Sequence, residues 1–419
     1  MNESQVFANK QKKQSLQPKN IYFIWNYTNW GGAQIYFLAI MKRAGSGRKV
    51  KVLLPVNSSP DLISFIEQSG GEIDFLNYHL ISETPVSLSG KIKRQIRRIL
   101  SEIEIFSAVF RRDRCNSVFH IELAPWQSWV LILFLRIINT KLFITIHNPL
   151  PEASIFRNFL WRFRLAIVSR LSGVRFFPSN HFTKSEMAKW MSPKAIEKMR
   201  VTYTAVDPDL INIALENNTQ LDEMRLKFGL DDGRKNILCV GQFIDRKGRW
   251  VFLEAASILH ESFPDLRFIW LMPSYPGSSD QKKIESFGLG SSFMPVISSD
   301  VGRERISILT FMRVADIFAL PSFVEGLPIA LLEAMALCIP CISTSVYAIP
   351  EAVIDNKTGL LVSPGNAQEL AESISKLLSD KHLAERIAGS GREFVINNFD
   401  ERKSADLVLQ TYEEEFLNG

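Results

Sequence analysis

Short apolar runs alternate along the chain with longer stretches in which apolar residues return at helical spacing. In the first half the runs are 21–25 (IYFIW), 50–54, 117–121, 142–146 and 173–177, and the helical stretches include 34–43 and 156–171. The pattern restarts at 236–240 (NILCV), 267–271, 315–320 and 341–343, with helical periodicity over 250–260 and 331–337. Strands that are apolar on both faces need helices on both faces, which is the arrangement of parallel sheets. A chain of 419 residues also exceeds what one core organises. Two doubly wound, Rossmann-like α/β domains are therefore expected. They divide near 204–209 (TAVDPD), where a turn-forming Asp-Pro falls between the two series. Residues 1–19 are polar and basic with no apolar core, and read as a flexible tail rather than a secretory leader. That leaves a first domain over 20–205, a second over 206–400 and a final helix over 401–419. In that helix Ala405, Leu409, Tyr412 and Phe416 fall on one face suited to packing.

Charge changes this picture more than composition does. A hydrophobic content of 46% and a charged content of 22% are ordinary for a globular protein. The net charge of +5 conceals 29 Lys+Arg against 13 Asp+Glu in residues 1–200, and 20 against 31 in the remainder. A basic first domain is drawn to an anionic membrane surface or a phosphorylated substrate. Nucleic acid fits less well. The clusters 91–98 (KIKRQIRR) and 111–114 (RRDR) carry no interleaved aromatics and no reader motif. The first reads instead as a helix face through Lys91, Arg94 and Arg98. The longest apolar stretch, 126–138, is too short to span a bilayer and contains Arg136, so a buried helix is expected there. Four cysteines make no disulfide framework; Cys338 and Cys341 close a helix rather than open one and read as small buried hydrophobes. The expectation is a cytoplasmic protein, at most peripheral on the inner face of a membrane.

Three loops carry candidate chemistry. Gly31 and Gly32 lie in NWGGAQ, after the first strand and directly before a helix. They let the backbone approach a ligand at a helix start that favours phosphate, although a tight strand–helix turn would look the same. Loop 241–248 (GQFIDRKG) puts Arg246 and Lys247 at the carboxyl end of a strand, the edge where open α/β sheets bind ligands. A lysine there can neutralise a diphosphate, and two solvated cations are the alternative. In 321–335 a loop carries Glu325 and Gly326, a helix begins near Pro328, and Glu333 falls in its second turn. An anion-favouring helix start beside carboxylates that accept hydroxyl hydrogen bonds suits a nucleotide sugar. Spacing alone leaves Glu333 equally open to being a helix surface residue.

The segment 321–345 (PSFVEGLPIALLEAMALCIPCISTS), followed by 349–378 (IPEAVIDNKTGLLVSPGNAQELAESISKLL), resembles the donor-binding half of retaining glycosyltransferases of family four, which have the GT-B fold. The similarity continues in outline through 144–148 (ITIHN), Ser179 and Asn180, the Lys247 loop and the two glycines. It implies two Rossmann-like domains facing an interdomain cleft, the first binding the acceptor and the second the nucleotide-sugar donor. The final helix would cross back toward the first domain. The resemblance further implies that Glu325 contacts the donor sugar, Glu333 the ribose hydroxyls and Lys247 the diphosphate. Gly32 would let backbone reach that diphosphate, amides around Gly326 and Leu327 would complete the donor site, and His147 would stand near the reacting sugar. Gln242 occupies a place where an Arg commonly partners the lysine, with Arg246 the nearby substitute. Glu122 stands where some members have a second His after His120.

The implied reaction is metal-independent transfer of a hexose-type sugar with retention at the anomeric carbon. The nucleoside-diphosphate sugar is the donor substrate and no cofactor is needed. The acceptor would be a saccharide or lipid-linked saccharide of cell-surface polysaccharide or lipopolysaccharide biosynthesis. A D-x-D spacing, Asp207-Pro208-Asp209, falls in the boundary turn rather than at a metal site. Two alternatives stay open: a nucleotide-sugar epimerase on the same fold, and a catalytically silent sugar-nucleotide-binding subunit.

Overall fold

The computed structural model describes residues 18–28, 32–45, 47–80, 87–151 and 153–417, so the expected tail lies outside it apart from Pro18 and Lys19. The chain forms two compact units, Met1–Thr204 with Arg402–Gly419, and Ala205–Glu401. In the first, β1 (Asn20–Ile24), β2 (Lys49–Pro55), β3 (Glu72–Leu76), β4 (Ser117–Glu122), β5 (Leu142–Ile146) and β6 (Val174–Pro178) make one sheet. Its order is β3-β2-β1-β4-β5-β6 and every pairing is parallel. Helices Gly32–Ala44, Pro60–Gln68 and Glu401–Leu417 bury their apolar sides on one face. Helices Leu88–Phe110, Trp129–Ile137 and Ile155–Val168 cover the other.

The final helix belongs to this first sheet. Ala405, Val408, Leu409 and Tyr412 are buried against it. Arg43 grips Asp406 with two nitrogens at 2.6 and 3.0 Å, and Arg200 reaches Glu414 at 2.7 Å. Arg48 and Arg175 pair with Glu413 and Glu415. Inside, the Tyr412 hydroxyl meets His120 Nδ1 at 2.5 Å while Thr145 holds Nε2 at 2.6 Å. Burial keeps His120 well below the usual histidine range, with His147 adding to the effect, so the ring is a neutral bridge between the sheet and this helix.

In the second unit β7 (Lys235–Val240), β8 (Leu266–Met272), β9 (Phe293–Ile297), β10 (Ile317–Leu320), β11 (Cys341–Thr344) and β12 (Leu360–Val362) are also all parallel, in the order β12-β11-β10-β7-β8-β9. Helix Arg249–His260 seats Phe252 edge-on against Phe268 and Trp270 at 5.4 and 5.2 Å. Both units are thus Rossmann-like, and in each sheet the order reverses beside the first strand, between β1 and β4 and between β7 and β10. Loops after these strands diverge to opposite faces, which opens a crevice at the carboxyl edge.

Three strands were not expected: β3, β9 and β12. All are edge strands. β3 mixes Glu72 and Asp74 with an exposed Phe75, β9 contains Pro295, and β12 is three residues long. An edge strand can carry polar residues and proline because one side of it pairs with nothing, so it lacks the apolar signature of a central strand. The stretch 126–138 is also not the buried helix expected. Helix Trp129–Ile137 buries Leu131, Ile132 and Leu135 but exposes Val130, Phe134 and Ile137. Cys341 is buried as expected, whereas Cys338 is exposed in the left-handed turn that ends helix Ile329–Ala336. Asp207 caps helix Pro208–Glu216 by accepting from the amides of Asp209 and Leu210. Among the described residues no helix is long and apolar enough to cross a membrane, and no group of three potential ligands could hold a metal ion.

Candidate functional site

In the second unit, the loops after β7 and β10 meet at the crevice. The β7 loop leaves through Gly241 with φ 143°, makes a short 3-10 turn over Asp245–Lys247 and closes on Gly248 with φ 74°. A Cβ on Gly248 would stand 1.9 Å from the carbonyl oxygen of Pro321, so only glycine lets the two loops come this close. The Phe323 amide donates to the Arg246 carbonyl at 2.8 Å and fixes their register.

This backbone contact brings three charges together. Lys247 Nζ lies 2.5 Å from Glu325 Oε1, with 12% and 7% of the two side chains exposed. Ser322 Oγ donates to the same carboxylate oxygen at 3.1 Å, and Arg246 Nη1 lies 3.4 Å from Oε2. Arg246 also donates to the Val324 carbonyl at 3.0 Å, which holds its guanidinium over the loop while leaving it 45% exposed. Gln242, by contrast, is exposed and, among the described residues, contributes only its carbonyl, to the Ile244 amide. Arg246, and not Gln242, is therefore the second cation of the cluster. Directly after Glu325, the amides of Gly326 and Leu327 donate to no acceptor among the described residues. Cys239, beneath this cluster, is fully buried; burial pushes its thiol far up despite Lys247, so it stays protonated.

Glu333 does not join Glu325. It is buried in the second turn of helix Ile329–Ala336 and is held by Arg305, whose Nε and Nη2 both reach Oε1 at 2.9 Å. Arg305 Nη1 also lies 3.6 Å from Glu401. Burial raises the Glu333 carboxyl, and Arg305 opposes the rise. For Arg305, burial acts to lower the guanidinium, but Glu333 and Glu401 outweigh it. The sequence offered no signal for Arg305, the first residue of helix Arg305–Met312, which the fold carries to the buried acid.

The first unit presents a second group of polar atoms at its own crevice. His147 follows β5 and Glu122 ends β4, with His147 Nε2 3.5 Å from Glu122 Oε1 and each side chain 15% exposed. The His147 carbonyl accepts from Ser179 Oγ at 3.1 Å and from Thr183 Oγ1 at 3.4 Å. Asn180 in turn caps helix His181–Ala188 through the Thr183 amide at 2.7 Å. Ser179 and Asn180 thus fix the backbone that carries the histidine. The Tyr36 ring packs edge-on against His147 at 6.0 Å. Gln34 Oε1, Glu122 Oε2 and His147 Nε2 are buried without a hydrogen-bond partner among the described residues. Buried polar atoms at the carboxyl edge of a sheet with nothing to bond are the mark of a site built for a ligand. Gly32 opens helix Gly32–Ala44, while Gly31 lies outside the described residues.

Residues 292–394 match the model of the family described as glycosyl transferases group 1. Two curated relatives are the alpha-D-kanosaminyltransferase of Streptomyces kanamyceticus and the D-inositol 3-phosphate glycosyltransferase of Paenarthrobacter aurescens. The first is 27% identical over 46% of this chain and 48% of its own length, the second 29% identical over 43% and 44%. The chain therefore spans about half the length of the curated relatives it matches. Among solved structures, a glycosyltransferase from Rickettsia africae superposes with a TM-score of 0.74 at 19% identity, covering 96% of this chain and 99% of that one. Anabaena HepE, in complex with UDP and glucose, gives 0.71 at 16% identity over 93% and 98%. The segment that resembles the glycosyl transferases group 1 lies in the second unit, and both units carry the Rossmann-like sheets of the GT-B fold.

Proposed function

We propose that the chain transfers a hexose-type sugar from a nucleoside-diphosphate sugar to a saccharide or lipid-linked acceptor, with retention at the anomeric carbon. The observation that carries this reading is the cluster of Lys247, Arg246 and Glu325 beside the unengaged amides of Gly326 and Leu327. In the reaction, the bond from the anomeric carbon to the diphosphate oxygen breaks and a bond to the acceptor hydroxyl oxygen forms. The acceptor proton leaves with the departing diphosphate. Negative charge grows on that diphosphate, and two cations with two free amide donors are suited to stabilise it. Glu325, on releasing Lys247 to the phosphates, becomes an acceptor for a sugar hydroxyl. Both Arg305 nitrogens fall on Oε1 of Glu333, leaving Oε2 to accept from a ribose hydroxyl. In the first unit we assign His147 to the reacting sugar, oriented by Glu122. HepE was crystallised with UDP-glucose, and a relative from Bacillus subtilis carries the name of a teichuronic acid biosynthesis glycosyltransferase. The first is in keeping with a nucleotide-sugar donor, the second with a role in cell-surface polysaccharide synthesis.

A panel of nucleotide sugars, scored by released nucleoside diphosphate, tests the proposal. One donor should be turned over slowly in water and faster with acceptor, and Lys247→Ala and Glu325→Ala should each abolish release in a folded protein. Near-normal rates in either variant would refute the assignment. Because Lys247 and Arg246 supply the charge, dialysis against a chelator should leave the rate unchanged. Interconversion of sugar nucleotides without release would instead indicate an epimerase, and no turnover of any donor a silent subunit.

A further inference from the structure

Helices Leu88–Phe110, Trp129–Ile137 and Ile155–Val168 lie side by side over one face of the first sheet. They send Ile105, Val109, Leu131, Leu135, Leu165 and Val168 into a single core. Since the inner sides share that core, the outer sides face away from the same face of the sheet. Those outer sides are apolar. Ile92, Ile96, Ile99 and Ile103 form one exposed stripe at helical spacing, Val130, Phe134 and Ile137 a second, and Phe156, Phe159 and Phe163 a third. Phe156 is 77% exposed and Ile155 91%. Single exposed hydrophobes need no explanation, but three neighbouring stripes do. The Phe106 and Phe134 rings meet at 6.0 Å, and Arg164 lies over the Trp129 ring at 5.8 Å, so the three helices form one continuous layer.

The same helices hold nine Lys and Arg against two Glu. Glu102 is paired with Arg98, and Glu104 lies within 3.9 Å of Arg111. Lys91, Lys93, Arg94 and Arg97 are all exposed around the isoleucine stripe. A second copy of this chain would bring the same excess of positive charge into contact with itself. An anionic bilayer surface accepts both features at once: phosphates meet the cations, and Ile and Phe side chains enter the headgroup–acyl boundary.

We propose that this three-helix face docks the first unit onto an anionic lipid bilayer. The surface goes beyond the transfer reaction and stands independently of it. The experiment is flotation of the full chain with phosphatidylcholine vesicles, with and without phosphatidylglycerol. Binding is expected only with phosphatidylglycerol, weakening as salt rises. Each basic residue near such a surface contributes about fivefold, so changing Lys91, Lys93, Arg94 and Arg97 to Gln should weaken binding more than about 100-fold. Phe156→Ser with Phe159→Ser should weaken it about tenfold or more. Phe159→Trp should be quenched by brominated lipid. All these side chains are exposed, and circular dichroism checks that the variants fold. Lys247→Ala should float like the unaltered chain, which separates failure of the donor site from failure of docking. Absence of binding to phosphatidylglycerol vesicles at low salt, or binding that neither set of substitutions changes, would overturn the proposal. So would self-association that Phe156→Ser abolishes.

Discussion

Replacing Glu325 by Gln should destabilise the second unit more than replacing Glu325 and Lys247 together. The carboxylate and ammonium are 2.5 Å apart with almost no exposure, so each shields the other from being a lone buried charge. Removing one partner of a buried pair costs about 3–5 kcal/mol, mostly because the survivor is left unpaired. Ser322 still donates at 3.1 Å to the Gln side-chain oxygen, which places Glu325→Gln near the low end, about 3 kcal/mol. Lys247→Met leaves Glu325 with Ser322 and Arg246 and should cost about 2 kcal/mol. The double variant buries no unpaired charge and should cost no more than about 2 kcal/mol, giving a coupling of about 3 kcal/mol. Native-state hydrogen exchange of the β7 and β10 amides reads this unit alone, with no assumption that both units unfold together. Additive single costs, within about 0.5 kcal/mol, would show that the two charges do not meet.

Other substitutions probe other parts of the molecule. Gly248→Ala must push the loops apart as well as hold a left-handed alanine, so it should cost more than about 3 kcal/mol and abolish calorimetric binding of a nucleoside diphosphate. Gly233→Ala, at φ 81° in open space, should cost only about 1 kcal/mol and leave binding intact. His147→Ala should lower kcat about 100-fold or more with donor affinity little changed, and a normal kcat would remove it from the site. His120 is held neutral in the fold, whereas its ordinary value is 6.5. Below pH 6.5 the unfolded chain takes the extra proton first, so the first unit should lose up to about 1.4 kcal/mol per pH unit as pH falls. His120→Gln should flatten that slope in acid unfolding of the first unit, and an unchanged slope would place the titration elsewhere.

The central strands were legible because they are buried on both faces and so are written in almost uninterrupted apolar residues. Ile237, Leu238 and Cys239 of β7 are wholly buried, as are Phe143 and Ile144 of β5 to within 1%. The edge strands β3, β9 and β12 were not legible, because half their backbone answers to no neighbour. The site divided along similar lines. Lys247, Arg246 and Glu325, which the structure brings into one cluster, could be singled out because short loops at strand ends announce themselves by their glycines and charges. The pairing of Glu333 with Arg305 was invisible, since 28 residues separate them and only the fold brings them together. Nor does periodicity tell a helix sunk in a core from one that turns apolar residues outward, as 126–138 shows.

The return of the chain to its first unit at Arg402 has a consequence for biosynthesis. The 197 residues of the second unit are an insertion within the first, and they leave the ribosome whole before the first can be completed. Until Tyr412 emerges, His120 has no hydroxyl at Nδ1, and Arg43, Arg48, Arg175 and Arg200 lack the acids that fix them. During synthesis the nascent first half must therefore wait with part of one sheet face uncovered, a natural substrate for chaperones. A stop codon a few residues before Tyr412 would spare Lys247, Arg246, Glu325 and Glu333 and still leave a protein that cannot finish its opening domain.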